Sequence, residues 1–471
     1  MKFIYNFDQQ HDTIAAIATP PGEGAISVIR ISGKEAVTIL KTIFSKDPEE
    51  MTSHTVHFGK ILDKQGKTLD TVLVTIMKAP KSYTGENSVE INCHGGTLIT
   101  KKVFQRILEA GARAALPGEF TLRAFLNNKI DLAQAEAIQT LISAQNELAL
   151  KAAKEQLEGK LSQEVKNIQK ELIEIAAILE AWVDFPEEGL EFQTMEELKL
   201  HLSATLVKMQ KLAASFERGK KLTDGIQLTI IGTPNVGKSS LMNALCQKEK
   251  AIVTDIPGTT RDLIEEKVLL GSLHFHLIDT AGIRKTDQIV EQEGIRRSER
   301  ALKKADLALL VLDASRSLNA DDQELLKTVN KDKTIVIWNK TDLNPAPKKM
   351  GFPHELLLSL KPINNLDIKD LKENSSKEKG LEELIQTIEK LAWQKGESKE
   401  EIILTKERHK NALGKAIENC QKAVYGLEQK DSAEFVAADM RFALSALGQI
   451  IGHDLSEDIL SEIFSKFCVG K

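Results

Sequence analysis

Apolar and polar residues keep different spacings in different stretches of this chain, and the changes of spacing mark out its parts. Up to about residue 126 the apolar runs are short and rich in β-branched residues, as in AISVIRIS (25–32) and TVLVTIM (71–77), which predicts strands. PPGEG (20–24), KSYTGENS (81–88) and HGG (94–96) hold the Gly, Pro, Asn and Ser of turns. One helix is predicted over 97–110, so this stretch reads as an α+β domain. From about 128 to 220 apolar residues recur at helical intervals with few breakers, in DLAQAEAIQTLISAQNELALKAAKEQLEGKLSQEVKNIQKELIEIAAILEAW. FPEEG (185–189) interrupts, and a further helix is predicted over about 195–216. Strands and helices then alternate. QLTII (227–231), FHLID (275–279), LALLVLDA (307–314) and TIVIWN (334–339) are apolar, β-branched-rich runs of the kind that suits a parallel sheet. After about 390 the helical spacing returns and lasts to residue 467.

The 471 residues exceed the roughly 250–300 that one core serves, so two or three domains are expected. The boundaries read as 1–126, 127–222, 223–387 and 388–471. The pattern leaves two arrangements open for the last part. It is a separate C-terminal helical domain, or the second half of a helical domain into which the α/β domain is inserted. Hydrophobic residues at 42% and charged residues at 28% are ordinary for a soluble globular protein. A net charge of −5 offers nucleic acid no general attraction, so any RNA contact needs a local patch. Cys93, Cys246, Cys420 and Cys468 stand far apart without a CxxC pair, which argues against a zinc site or a disulfide framework. The N-terminus lacks the apolar core of a signal peptide, and no apolar run reaches the about 18 residues of a membrane span. A cytoplasmic protein with no membrane partner is expected.

The chemistry sits in three motifs. GTPNVGKS (232–239) follows a predicted strand and opens a predicted helix, the context a phosphate loop requires. Its glycines let backbone N–H groups of Asn235, Val236, Gly237, Lys238, Ser239 and Ser240 approach phosphates. Lys238 supplies positive charge, and the Ser239 hydroxyl suits Mg²⁺. Asp279, Thr280, Ala281 and Gly282 end the strand FHLID, where an aspartate holds Mg²⁺ through water and a glycine N–H meets the γ-phosphate. Asn339, Lys340, Thr341 and Asp342 end the strand TIVIWN. A carboxylate at Asp342 accepts from guanine N1–H and its 2-amino group, a donor pair adenine lacks, so the motif selects GTP over ATP. A last base-contacting loop has two candidates. Ser375, Ser376 and Lys377 are preferred over Ser359, Leu360 and Lys361. In GTTRD (258–262), Thr260 is the residue expected to close onto Mg²⁺.

An absence matters as well. Ras-like enzymes carry a water-orienting glutamine just after DxxG, and here that position is Ile283. Asn235 is then a candidate ligand for a monovalent cation in place of an arginine finger. Glu291 is a candidate water-positioning carboxylate, although by itself it reads as a solvated surface charge.

IATPPGEGAISVIRISG, SYTGENSVEINCHGG, PGEFTLRAFLNNKIDLAQAEAI, GTPNVGKSSLMNAL, AIVTDIPGTTRD, DTAGIR and the closing FCVGK resemble, in order and over essentially the whole chain, the tRNA-modification GTPases of the MnmE (TrmE) family. The resemblance implies an N-terminal α+β folate-binding and dimerisation domain, a discontinuous all-α helical domain and an inserted P-loop α/β G domain. It implies a homodimer whose K⁺-dependent GTP hydrolysis is driven by G-domain pairing. A flavoprotein of the MnmG (GidA) family is the implied partner, in a heterotetramer or larger complex. Together they would add an aminomethyl or carboxymethylaminomethyl group to the wobble uridine of tRNAs, using a 5-formyl- or methylene-tetrahydrofolate. Carried over by position, Asn235, Thr254, Ile256 and Thr259 match the K⁺ ligands, and Ser239 and Thr260 those of Mg²⁺. Glu291 matches the water-orienting carboxylate. Arg30, Glu90, Lys129 and Lys471 match folate contacts, with cations suited to a glutamate tail and a carboxylate suited to pterin N–H donors. Cys468 matches the cysteine of a C-terminal CxGK ending, a participant in the modification or a small apolar residue that docks the tail. Two other classes compete: an Era-like regulatory switch in ribosome assembly, for which no basic RNA-binding module is evident, and a folate-binding scaffold, which intact GTPase motifs oppose.

Overall fold

The computed structural model describes residues 5, 12–184, 194–248, 265–279, 302, 305–343, 350–360, 368–393, 402–429 and 431–470, and for 184, 247, 248, 265, 266, 278, 279 and 368–378 the backbone alone. Near the N-terminus the alternating runs pair into a six-stranded sheet of order β3-β4-β5-β2-β1-β6. Its strands are β1 (Ile14–Ile17), β2 (Ile26–Ser32), β3 (Thr55–Leu62), β4 (Thr68–Met77), β5 (Ser88–His94) and β6 (Arg113–Ala114). Pairing is antiparallel except between β1 and β6. Every second residue faces inward. Ile29, Ile31, Ile61, Val72, Val74, Ile76, Val89 and Ile91 form a core with residues of helices Ala36–Ile43 and Thr97–Glu109. The opposite face is open: Val56, Phe58 and Leu73 are 60%, 62% and 44% exposed. Register aligns Val56 with Thr75, Thr75 with Glu90 and Glu90 with Arg30, so the apolar face and these two charges share one side.

The expected strands at 25–32 and 71–77 and the helix at 97–110 correspond to β2, β4 and helix Thr97–Glu109. The turns expected at 81–88 and 94–96 overrun β5, which begins at Ser88 and ends at His94. SVEINCH alternates polar and apolar residues, and its polar members stand on the open face rather than in a turn.

The helical spacing becomes helices Leu132–Ser143, Glu147–Leu157, Lys160–Asp184 and Met195–Ala214, and later Glu407–Gln429, Ala433–Ile451 and Glu457–Ser465. Helix Ala433–Ile451 packs along Lys160–Asp184. The chain divides into two compact units: Met1–Ser143, Ala153–Ala213 and Arg408–Lys471, and then Ala144–Ala152 with Ala214–Glu407. The first therefore combines the α+β part with a helical part drawn from two separated stretches.

Arg408, where the chain re-enters the first unit, fastens those stretches together. Its Nε donates to Glu136 Oε1 at 3.0 Å and its Nη2 to Oε2 at 2.8 Å. The same guanidinium reaches the carbonyls of Gln449 and Ile450, at the end of helix Ala433–Ile451. His409, fully buried, lies 2.7 Å from Glu136 Oε2. Burial alone would push the Glu136 carboxyl up, but the His409 imidazole and the Arg408 guanidinium hold it far below the usual carboxylate range. A depressed carboxyl contributes its stability above the ordinary carboxyl pKa and loses it as pH falls toward the folded value. Glu136→Gln is expected to destabilise the first unit by about 3–5 kcal/mol at neutral pH, because Arg408 loses its ionic partner. Urea unfolding followed at pH 7 and again below pH 4 should show the gap between variant and wild type narrowing in acid. A constant gap would discount the ion pair.

In the second unit the four apolar runs form β7 (Ile226–Ile231), β9 (Leu273–Asp279), β10 (Leu307–Asp313) and β11 (Thr334–Asn339); with β8 (Glu265–Leu270) and β12 (Glu355–Leu357), which the sequence pattern does not mark, they make a sheet of order β12-β11-β10-β7-β9-β8. All neighbours are parallel except β8 with β9. Every residue of β10 and β11 is buried, which is why their sequences do not alternate. After β7 the chain goes to β8 and β9 on one side and returns to β10 on the other. The loop leaving β7 therefore lies at the switch point where α/β sheets bind ligands. Among the described residues no helix is long and apolar enough to cross a membrane.

Candidate nucleotide site and C-terminal tail

Strand β7 and helix Lys238–Lys248 enclose the loop GTPNVGKS. Three of its residues have positive φ: Gly232 at 153°, Asn235 at 63° and Gly237 at 104°. A Cβ at Gly237 would run into Asn339 Nδ2, so glycine is needed there for both backbone and space. The Lys238 ammonium folds over the loop and donates to the carbonyls of Gly232 at 2.9 Å and Thr233 at 2.8 Å. Asn235, Ser239 and Ser240 are exposed, while Val236 is buried under the loop.

The base-side loop follows β11. Asn339, 3% exposed, donates through Nδ2 to Val236 O at 2.8 Å, and its Oδ1 accepts from Leu360 N at 3.2 Å. One side chain thus joins the phosphate loop to the residues after β12. Lys340, at φ 62°, donates to Asp313 Oδ2 at 2.6 Å. Burial would push the Asp313 carboxyl up, but the hydrogen bonds from Lys340 and Ser315 hold it below its ordinary value. Asp342 is exposed, and its Oδ1 accepts from Ser359 Oγ at 2.8 Å. Thr341 Oγ1 donates to Leu358 O at 3.0 Å.

At the other end of the chain the tail returns to the α+β part. Arg30 Nε donates to Glu90 Oε1 at 2.9 Å, and Arg30 Nη1 donates to Gly470 O at 3.1 Å. Gly118 N donates to Cys468 O at 3.2 Å. The Phe467 ring packs 5.3 Å from that of Phe464, itself 6.3 Å from Phe125. The Arg30 guanidinium also lies over the rings of Tyr83 and Phe120, at 5.9 and 5.8 Å. Lys129 Nζ donates to Pro80 O at 3.1 Å, on the loop that carries Tyr83. The Cys468 thiol is exposed.

Comparison with known proteins then decides the family. Residues 132–468 match the model described as the MnmE helical domain, and residues 13–129 match the GTP-binding protein TrmE N-terminus. The chain is 56% identical to a tRNA modification GTPase MnmE of Protochlamydia amoebophila over 473 residues, 100% of both chains. Relatives of the same name from Acetivibrio thermocellus and Carboxydothermus hydrogenoformans are 44% and 42% identical, each over 98% of this chain and 100% and 99% of their own. This chain belongs to the MnmE (TrmE) family. Among solved structures, the FeoB G-domain from Methanococcus jannaschii matches 36% of this chain and 97% of its own at 21% identity, with a TM-score of 0.24.

Within this MnmE-family chain the structure brings Asn235, Val236, Gly237, Lys238 and Asn339 together, and separately gathers Arg30, Glu90 and the tail before Lys471. Asp279 ends β9 beside Ile230, with only its backbone described. Thr254, Ile256, Thr259, Thr260, Thr280, Ala281, Gly282, Ile283, Glu291 and Lys471 lie outside the described residues. One expectation is corrected. Ser375, Ser376 and Lys377 are not in a loop but inside helix Ile368–Ala392, because the Leu, Lys and Glu of LKE (371–373) before them and of EKGLEEL (378–384) after them favour helix. The residue beside Asp342 is Ser359, of the alternative triplet.

Proposed function

We propose that this chain is a GTP-hydrolysing enzyme that serves tRNA modification. The observation that carries the reading is the junction at Asn339. A phosphate loop of the GxxxxGKS type is tied through this side chain to an NKTD loop whose Asp342 is held by Ser359. Backbone N–H groups of residues 235–240 would receive the phosphates at the start of helix Lys238–Lys248, with Lys238 moving from the loop carbonyls to the β- and γ-oxygens. Ser359, with Leu360 and Lys361, is the triplet we assign to the guanine side.

Mg²⁺ would be held by Ser239 and Thr260. The exposed Ser239 hydroxyl at the first turn of the helix suits it. K⁺ would be held by Asn235, Thr254, Ile256 and Thr259, and the exposed, left-handed Asn235 beside the phosphate loop fits that role. Bound there, it would offset charge that develops on the transferred phosphoryl group. Glu291 would orient water, since Ile283 has no group to do so. Purified protein should release phosphate from GTP at least about tenfold faster in K⁺ than in Na⁺, because an ion in a fixed oxygen cage must match its size. Equal rates in the two salts would remove the cation role, and no hydrolysis in either would remove the enzyme.

Arg30, Glu90, Lys129 and Lys471 are the residues assigned to a tetrahydrofolate, and Cys468 to the one-carbon transfer onto the wobble uridine. The Arg30–Glu90 pair is built for a ligand with both anionic groups and N–H donors. A homodimer is supported by the open apolar face of Val56, Phe58 and Leu73, which runs along the sheet to Glu90 and Arg30. The flavoprotein partner of the MnmG family, assembled in a heterotetramer or larger complex, belongs to the same reading, as does a cytoplasmic location.

A further inference from the structure

The phosphate loop is held from a side that its motif does not name. Thr233, its second residue, is 5% exposed. The Thr233 hydroxyl donates to Asp322 Oδ1 at 2.7 Å and accepts from Arg316 Nη2 at 3.0 Å. Arg316 Nη1 donates to Asp322 Oδ2 at 2.7 Å. The three side chains close a ring in which each bonds to the other two. A hydroxyl has one hydrogen to give, and here it goes to the carboxylate while a lone pair takes the guanidinium.

Asp322 also has a local duty. Helix Ala320–Thr328 begins in a capping box, where Asn319 accepts from Asp322 N at 2.8 Å and Asp322 Oδ2 accepts from Asn319 N at 3.1 Å. Capping needs only that one oxygen. The other reaches a loop 89 residues earlier in the chain and contributes nothing to the helix end. A capping carboxylate usually stands in water, whereas Asp322 is fully buried. An anion so near a phosphate loop would oppose a nucleotide, and the Arg316 guanidinium cancels that charge. The same connection begins with Asp313, which holds Lys340 of the base-side loop. Residues 313–322 therefore touch both loops at once.

We propose that Thr233, Asp322 and Arg316 form a clamp that fixes the phosphate loop for guanine nucleotide, with Asp322 and Arg316 as positioning residues. The inference rests on the GTP-binding reading above. It is tested on the full chain with Mg²⁺ by stopped-flow release of a fluorescent GDP derivative. Thr233→Val keeps the side-chain shape and removes the hydroxyl; release should become about tenfold faster, with a somewhat lower melting temperature because Asp322 Oδ1 loses its donor. Thr233→Ser, which keeps the hydroxyl, should release within about twofold of wild type. Asp322→Asn should resemble Thr233→Val in release, and the double variant should be no worse than the worse single one, since both remove the same contact. Arg316→Gln removes the third member from a half-exposed position and should release severalfold faster; it keeps the test decisive if Thr233→Val does not fold. A carboxylate that only capped its helix would lower the melting temperature of Asp322→Asn and leave release unchanged. Wild-type release from Thr233→Val, or from Arg316→Gln where only that variant folds, overturns the clamp while nucleotide binding stands. Wild-type protein that binds no guanine nucleotide overturns the clamp and the GTP reading together.

Discussion

Asp342→Asn should lose about a hundredfold or more in affinity for GTP and gain comparable affinity for xanthosine triphosphate. A carboxylate offers acceptors only, matching the N1–H and 2-amino donors of guanine. Asparagine offers one acceptor and one donor, matching xanthine, which has a carbonyl where guanine has the amino group. Ser359 Oγ donates to Asp342 Oδ1 at 2.8 Å and so orients the group before a base arrives. Asp342 itself is exposed, so the exchange removes no core packing. Competition of the two triphosphates against a fluorescent guanine nucleotide reads the switch directly. A variant that binds GTP as tightly as wild type would mean that Asp342 does not read the base.

Removal of the last four residues, 468–471, should abolish tRNA modification and leave GTP hydrolysis largely intact. The truncation takes away the Gly470 carbonyl that accepts from Arg30 and the Cys468 carbonyl that accepts from Gly118. It also removes the Cys468 thiol and the Lys471 ammonium, the groups assigned to transfer and to the anionic folate tail. Arg30 and Glu90 would remain paired but open to water on the side the tail covered, and folate affinity should fall about tenfold or more. The phosphate and base loops are built from other residues and keep their hydrogen bonds. Mass analysis of tRNA nucleosides should separate the outcomes, comparing strains that carry the full chain, the truncated chain or none. Normal wobble modification with the truncated chain would deny the tail a part in the chemistry. Normal modification with no chain at all would deny the protein a part in it.

What the sequence disclosed follows from how local each feature is. Strands β7, β10 and β11 were legible because both faces are largely buried, and a nearly unbroken apolar run records that. The phosphate and NKTD motifs were legible because their chemistry lies within a few adjacent residues. The two ends of β5, Ser88 and His94, were read into turns because they adjoin the turn formers of GEN and GG, and the polar outward residues Glu90 and Asn92 left the strand between them unmarked. Ser375, Ser376 and Lys377 were read as a loop because serine favours turns, yet helix formers on both sides carried the helix through. The capping box at Asn319 and Asp322 is a local pattern, but the bond from Asp322 to Thr233 is a tertiary fact with no trace in spacing. The same holds for Arg408, whose partners Glu136, Gln449 and Ile450 come from distant parts of the chain.

That last contact bears on how the protein is made. Glu136 and Arg408 are 272 residues apart, and the carboxylate has no access to its guanidinium until the ribosome has synthesised the whole intervening stretch. At about 5–20 residues per second, Glu136 waits roughly 14–54 s. During that time burial of the Glu136 carboxylate lacks the cation that offsets it, which disfavours the final packing of helix Leu132–Ser143. The second unit, made in the interval, has the sequence it needs to complete its sheet first. The order of synthesis thus favours a nascent chain in which the nucleotide-binding sheet is finished while the helical part around Glu136 is still open.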